Sequence, residues 1–126
     1  MHFIPSQAPG IYALAAQFPD TTVILDHMGR PGQGTEQEYQ DVLKLAKLPR
    51  VILKYSNWTE YKGDLGQLTR RIYDAFGPRR MIWGMLGNTA ADYRKQSARC
   101  EELLAFASEA DRAKIRGGNA QRLFFA

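Results

Sequence analysis

Cysteine is nearly absent: Cys100 stands alone among 126 residues, so no intrachain disulfide can form and no cysteine-based metal site can assemble. Long apolar runs are missing too. The longest clean stretches are a few residues, far short of the ~18 that a membrane helix needs. Met1 to Gln17 carries no Lys or Arg ahead of its apolar part, which argues against a secretory signal peptide, and a reducing cytoplasmic compartment is expected. The net charge of +4 comes from 17 basic and 13 acidic residues scattered along the chain, too weak a bias for nucleic acid. Neither nucleic acid nor membrane is an expected partner. Gly32-Gln33-Gly34 lacks the remaining glycine of a dinucleotide fingerprint, and there is no Gly-Lys-Ser/Thr phosphate loop or Gly-x-Ser-x-Gly elbow. What is present is the balance of a chain that folds, with 44% hydrophobic and 24% charged residues, and a length that fits one domain or part of one.

Three apolar runs, Val23-Ile24-Leu25, Val51-Ile52-Leu53 and Met81-Ile82-Trp83, lack polar alternation and read as strands covered on both faces. They start 28 and 30 residues apart, the length of one strand, one helix and two loops. Between them the spacing turns helical. Ile11, Leu14, Ala15 and Phe18 fall at i, i+3, i+4, i+7, as do Tyr39, Val42, Leu43 and Ala46, and Cys100, Leu103, Leu104 and Ala107. Leu65, Leu68, Ile72 and Phe76 form a further stripe, ended by Gly77-Pro78. Thr35 with Glu38 is a capping-box signature, and Ser108 with Asp111 is a second, weaker one. A fourth strand is expected at His2-Phe3-Ile4, closed by Pro5. Gly117-Gly118-Asn119 is read as a helix stop, and Arg122-Leu123-Phe124-Phe125 as an aromatic end docked on the core. The expected fold class is α/β: one domain, residues 1–126, of four parallel strand-helix units. Eight such units typically take ~250 residues, so a complete barrel is excluded.

In parallel α/β folds, ligands meet the carboxyl ends of the strands. The first end reads Leu25-Asp26-His27-Met28-Gly29, a carboxylate and an imidazole directly after an apolar run. His27 can ligate a divalent metal or move a proton near neutral pH, and Asp26 can orient it. A turn-capping Asp26 with His27 merely packed in its loop fits the spacing equally well. The second end reads Leu53-Lys54-Tyr55-Ser56-Asn57-Trp58; Lys54 must there be paired, face a cavity or snorkel outward. Trp58 and Tyr61 are candidates for lining a pocket or for packing. The third end, Trp83-Gly84-Met85-Leu86-Gly87-Asn88, carries no ionisable side chain, and Asp92-Tyr93-Arg94 is either a further charge for this face or a solvated helix start. Cys100, on an apolar stripe, reads as a buried structural thiol.

Phe18-Pro19-Asp20, Val23 to Pro31 with its Asp-His-x-Gly-x-Pro element, Val51 to Ser56, Phe76-Gly77-Pro78-Arg79-Arg80 and Gly118-Asn119-Ala120-Gln121-Arg122-Leu123-Phe124 together resemble the amidohydrolase-related TIM-barrel family. This is the group of predicted metal-dependent hydrolases (amidohydrolase 2) that includes dicarboxylate lactonases. The resemblance runs in order along nearly the whole chain and implies the C-terminal half of a (β/α)8 barrel, from about the fifth strand to the last helix. It implies a hydrolase acting on a small, anionic cyclic ester or amide. His27 and Asp26 would be catalytic, Lys54, Ser56 and Arg30 would contact substrate, and His27 with His2 would hold a divalent metal, zinc or manganese. The family's eighth strand ends in Gly-Ser-Asp-x-Pro; here Leu86 stands in the aspartate's place. A leucine neither ligates a metal nor accepts a proton. The missing half would come from a second copy, giving a homodimer. The competing reading is a non-catalytic half-barrel remnant whose role is association.

Overall fold

A computed structural model describes residues 1–125. Three strands, β1 (Val23–Leu25), β2 (Val51–Tyr55) and β3 (Met81–Trp83), form a parallel sheet in the order β1-β2-β3. Val23 faces Val51 and Leu25 faces Leu53; Leu53 in turn faces Met81 and Tyr55 faces Trp83. Sequential order with helical crossovers is the connectivity of a barrel arc. The helices are α1 (Ala8–Gln17), α2 (Glu36–Lys44), α3 (Leu65–Phe76), α4 (Ala90–Leu103), α5 (Glu109–Ala113) and α6 (Asn119–Phe124). Neighbours pack in turn, α1 on α2, α2 on α3 and α3 on α4, which sets them side by side along the sheet.

Strand period divides the sheet. Leu25, Val51, Leu53, Tyr55 and Met81 belong to the hydrophobic cluster shared with Val42, Leu68, Ile72, Phe76, Cys100 and Leu104. Ile24, Ile52 and Ile82 lie at alternate positions and are not part of it, so they point to the opposite face, the interior of the arc. The expected caps are present: Thr35 Oγ1 accepts from the Glu38 amide while Glu38 returns to the Thr35 amide, and Ser108 accepts from the Asp111 amide. Thr89 and Asp92 form a further capping box at α4, so Asp92 starts a helix and does not serve the strand ends. Cys100 is buried, and that burial pushes its thiol up to about 12, as expected for a packing residue.

Three expectations are corrected. His2-Phe3-Ile4 is not a strand of this sheet. Only Met1 pairs with β1, its N-terminus donating to Ile24 O and its carbonyl accepting from the Asp26 amide, before the chain leaves at the 3₁₀ turn Pro5–Gln7. Three strand-helix units are therefore formed where four were expected. Gly117-Gly118 does not stop a helix, because a π-helical segment, Lys114–Gly118, continues into α6 with Gly118 itself helical (φ −58°, ψ −40°). Phe124 and Phe125 do not dock; Phe125 is 83% exposed. The apolar stripe of α1 is likewise uncovered beyond Ile11, since Leu14 and Phe18 lie over the open β1 edge beside Met1.

What fastens the C-terminal helices is Asn119. Its buried amide donates to Pro78 O at 2.6 Å and Met81 O at 2.8 Å, satisfying two carbonyls at the start of β3. Arg80 does the same one strand over, reaching Phe76 O and Leu48 O. Leaving buried carbonyls unpaired costs roughly 1–3 kcal/mol. Asn119→Ala is therefore expected to lower unfolding free energy by about that amount, read from urea denaturation followed by circular dichroism; an unchanged midpoint would contradict the role given to Asn119.

Candidate functional site at the carboxyl ends of the strands

Continuing the register past the ladder sets Asp26 opposite Lys54 and Ser56 opposite Gly84, all on the interior parity shared with Ile24, Ile52 and Ile82. The greasy floor of the arc thus ends in a polar rim. β2 runs to Tyr55, so Lys54 lies within the strand and is not a frayed end. Its ammonium is 3.2 Å from Asp26 Oδ1. Gly84 lets it lie there: a Cβ at that position would stand 2.9 Å from Lys54 Cε.

Asp26 gathers two more contacts. His27 Nε2 is 3.4 Å and His2 Nδ1 3.5 Å from its Oδ2, and the two rings meet edge to face with centroids 5.9 Å apart. His27 Nδ1 lies 3.0 Å from the buried Ser56 Oγ. Burial alone would raise the Asp26 carboxyl, but the Lys54 contact and charge, the charge of His27 and the His2 contact outweigh it and hold it below its ordinary value. Asp26 does not act as a side-chain turn cap; its carboxylate faces Lys54, His27 and His2 instead.

The loop after β1 is bent unusually. His27, Met28, Gly29 and Arg30 all have positive φ, at 48°, 59°, 72° and 54°. Left-handed backbone costs a non-glycine residue roughly 1–2 kcal/mol, and such residues persist only when their surroundings over-determine them. Here the Gly29 amide donates to Asp26 O and the Arg30 amide to His27 O, each at 2.9 Å, while the buried Tyr39 hydroxyl donates to Met28 O at 2.8 Å. Gly29 sits against Val42, where a Cβ would come within 2.4 Å of Cγ1. The turn presents His27 inward and Arg30 toward the next loop.

Arg30 meets Glu60, which the sequence did not single out. Glu60 Oε1 accepts from Arg30 Nη2 at 2.7 Å, Arg30 Nε at 3.3 Å and Gln33 Nε2 at 2.8 Å, and Oε2 accepts from Asn57 Nδ2 at 3.0 Å. The Arg30 contact holds the Glu60 carboxyl below its usual range. The remaining Arg30 nitrogen, Nη1, lies 2.7 Å from His2 Nε2. Trp58 is buried against Tyr55 and belongs to the core, as Tyr61 does in part. Leu86 is 46% exposed, its backbone bound to the Gln96 amide, and it adds no polar group to the rim.

All six expected site residues, His2, Asp26, His27, Arg30, Lys54 and Ser56, thus meet at one rim. Among the described residues, His2, Asp26 and His27 are the group whose donor atoms approach closely enough for a metal, within 4.8 Å of one another. Two imidazoles and a carboxylate are a donor set that zinc accepts. The hydrogen placement is not suited to it: Arg30 occupies the nitrogen of His2 that turns away from the cluster, leaving the hydrogen on the one that faces it. The three residues therefore do not fit a closed metal site as they stand.

An amidohydrolase family model matches residues 1–126. Among solved structures, the chain is similar to an amidohydrolase from Burkholderia multivorans with bound zinc (27% identity, TM-score 0.80), covering 96% of this chain and 50% of that one. It is similar in fold to a Pseudomonas putida protein assigned as a 2-pyrone-4,6-dicarboxylic acid hydrolase (20% identity, TM-score 0.78), covering 98% and 50%. An amidohydrolase 2 from Bifidobacterium longum subsp. infantis matches at 22% identity and TM-score 0.65, over 96% and 47%. The chain spans about half the length of these structures. No curated protein matches it.

Because Asp26 and Glu60 both sit below their unfolded values, each contributes stability above the ordinary carboxylate range near ~4 that is lost as pH falls through the folded value. Lys54→Met removes the cation that most lowers Asp26. The Asp26 carboxyl carbon, followed by ¹³C NMR in metal-free protein, is expected to titrate at higher pH in that variant; an unmoved midpoint would contradict the pairing.

Proposed function

This chain belongs to the amidohydrolase family, and on that premise we propose that it is the C-terminal half of a (β/α)8 hydrolase barrel that opens a small anionic cyclic ester or amide once the barrel is closed. The observation that carries this reading is the convergence of Asp26, His27, Lys54 and Arg30 on one rim, at the strand ends where barrel chemistry is done. Lys54 and Arg30 are cations facing that rim and would receive the substrate's carboxylates. Water adds to the ring carbonyl carbon, the ring C–O or C–N bond breaks, and the departing heteroatom takes a proton. With both ring nitrogens protonated, His27 would direct its Nε2 hydrogen into the rim, hold the carbonyl oxygen or pass that proton to the departing heteroatom, and be left as neutral imidazole, with Asp26 beside it stabilising the imidazolium beforehand. Ser56 positions the ring from its other side. The base for the water is not among these residues, since Leu86 occupies the place of the family's aspartate. No step is routed through zinc or manganese.

Closure by a second copy would cover the exposed β1 edge with Leu14 and Phe18 (56% exposed) and the opposite flank with Leu86, Phe124 and Phe125. A reducing cytoplasm, in which the single buried Cys100 stays a thiol, is the compartment this reading assumes. Among the described residues no helix is long and apolar enough to cross a membrane. Leu86 and the open apolar rim also favour a second reading, association without catalysis.

Two measurements separate these. Size-exclusion chromatography with light scattering is expected to give twice the 14.3 kDa chain mass, and a monomer at micromolar concentration would contradict closure by a second copy. With 2-pyrone-4,6-dicarboxylate as the probe, His27→Ala is expected to lower kcat about 10²-fold or more, and Lys54→Met chiefly to raise KM. A dimer that neither binds nor hydrolyses the probe would leave association as the function.

A further inference from the structure

The two nitrogens of His2 face partners of opposite kind. Nδ1 points at Asp26 Oδ2 from 3.5 Å, and Nε2 lies 2.7 Å from Arg30 Nη1. A guanidinium has five N–H donors, no acceptor, and keeps its protons. Nε2 must therefore offer its lone pair to Arg30, and a neutral imidazole with its lone pair there carries its hydrogen on Nδ1. Metal ligation requires a bare imidazole nitrogen. The atom of His2 that faces the cluster is thus the one that cannot ligate.

His27 is placed differently. Its Nδ1 meets a hydroxyl, Ser56 Oγ, which can donate or accept, so the ring can carry its hydrogen on Nδ1 and turn the Nε2 lone pair toward Asp26. Arg30 has no such freedom. Glu60 grips it through Nε and Nη2, Gln33 and Asn57 hold Glu60, and the left-handed backbone at Arg30 is fastened to His27 O.

We propose that Arg30, latched by Glu60, keeps His2 out of metal coordination, so that this chain offers zinc two ligands, Asp26 and His27, and further donors must come from the half that closes the barrel. The inference rests on the hydrolase reading of the rim. It makes the Arg30–Glu60 pair a specificity device: with the latch closed, Arg30 and His2 serve an anionic substrate, and with it open, His2 joins a three-ligand site.

Isothermal titration of the metal-free protein with zinc tests it. In the wild type, His27→Ala is expected to weaken zinc binding at least 10-fold, and His2→Ala to change it less than 2-fold. Arg30→Met is expected to tighten binding about 10-fold, Glu60→Gln to do so more weakly, and the gain to vanish in the Arg30→Met/His2→Ala double variant. Weaker binding on His2→Ala in the wild type, or no gain on opening the latch, would overturn the proposal, as would zinc failing to bind any of these proteins. ¹⁵N NMR of the wild-type imidazoles reads the latch without metal or substrate: His2 is expected protonated at Nδ1 and bare at Nε2, and the reverse tautomer sinks the inference. Failure of the hydrolysis assay alone, with this tautomer observed, counts against the hydrolase reading and not against the latch.

Discussion

A single carboxylate organises the functional end of this chain. Asp26 lies one residue past β1, opposite Lys54 in the register, and it is the shared neighbour of Lys54, His27 and His2. The placement is a consequence of strand period. Apolar side chains at Ile24, Ile52 and Ile82 mark the interior face, and the next positions along the same parity are Asp26, Lys54, Ser56 and Gly84. One face therefore passes from hydrocarbon to charge within a single residue pair, which gathers Asp26 and Lys54 at the carboxyl ends of the strands.

Around that carboxylate the backbone is bent against its own preference. Four consecutive left-handed residues, three of them not glycine, are tolerated because Tyr39, Val42 and two short-range amide bonds fix the turn from the helix side. The core thus stabilises a loop geometry that backbone preference alone would not select. The turn delivers His27 to Asp26 and Ser56 on one side and Arg30 to Glu60 and His2 on the other. The strand ends and the loops behind them then form one connected polar network running from Lys54 to Asn57.

Much of this is legible in the amino-acid order. The three apolar runs are strands because each is buried on the helix side, and the helical stripes at Tyr39/Val42, Leu68/Ile72 and Cys100/Leu104 are the faces that cover them. The Asp26-His27 and Lys54-Ser56 elements lead directly to the rim. Glu60 was not legible, because its partner Arg30 is 30 residues away and nothing local distinguishes a carboxylate that will meet a guanidinium from one in water. The strand expected at His2-Phe3-Ile4 failed for a related reason: a short segment becomes a strand only where it pairs with a neighbour, and after Met1 the chain turns away from β1. Gly117-Gly118 misled because helical packing against β3, with Asn119 bound to Pro78 and Met81, outweighs the freedom of two glycines. Phe124, Phe125, Leu14 and Phe18 are apolar as a core residue should be, yet exposed, and nothing in their local sequence distinguishes them from the apolar residues that are covered.

The organisation of this rim depends on Asp26 and Lys54 acting as a pair across β1 and β2. A double-mutant cycle on unfolding free energy, with Asp26→Asn, Lys54→Met and the combination, isolates that contact from the rest of the network. Partly exposed pairs couple by about 0.2–1 kcal/mol, and the account predicts a favourable coupling toward the upper end of that range. Losses that simply add, within the ~0.3 kcal/mol seen for independent sites, would mean that the rim is a set of neighbouring charges with no organising centre.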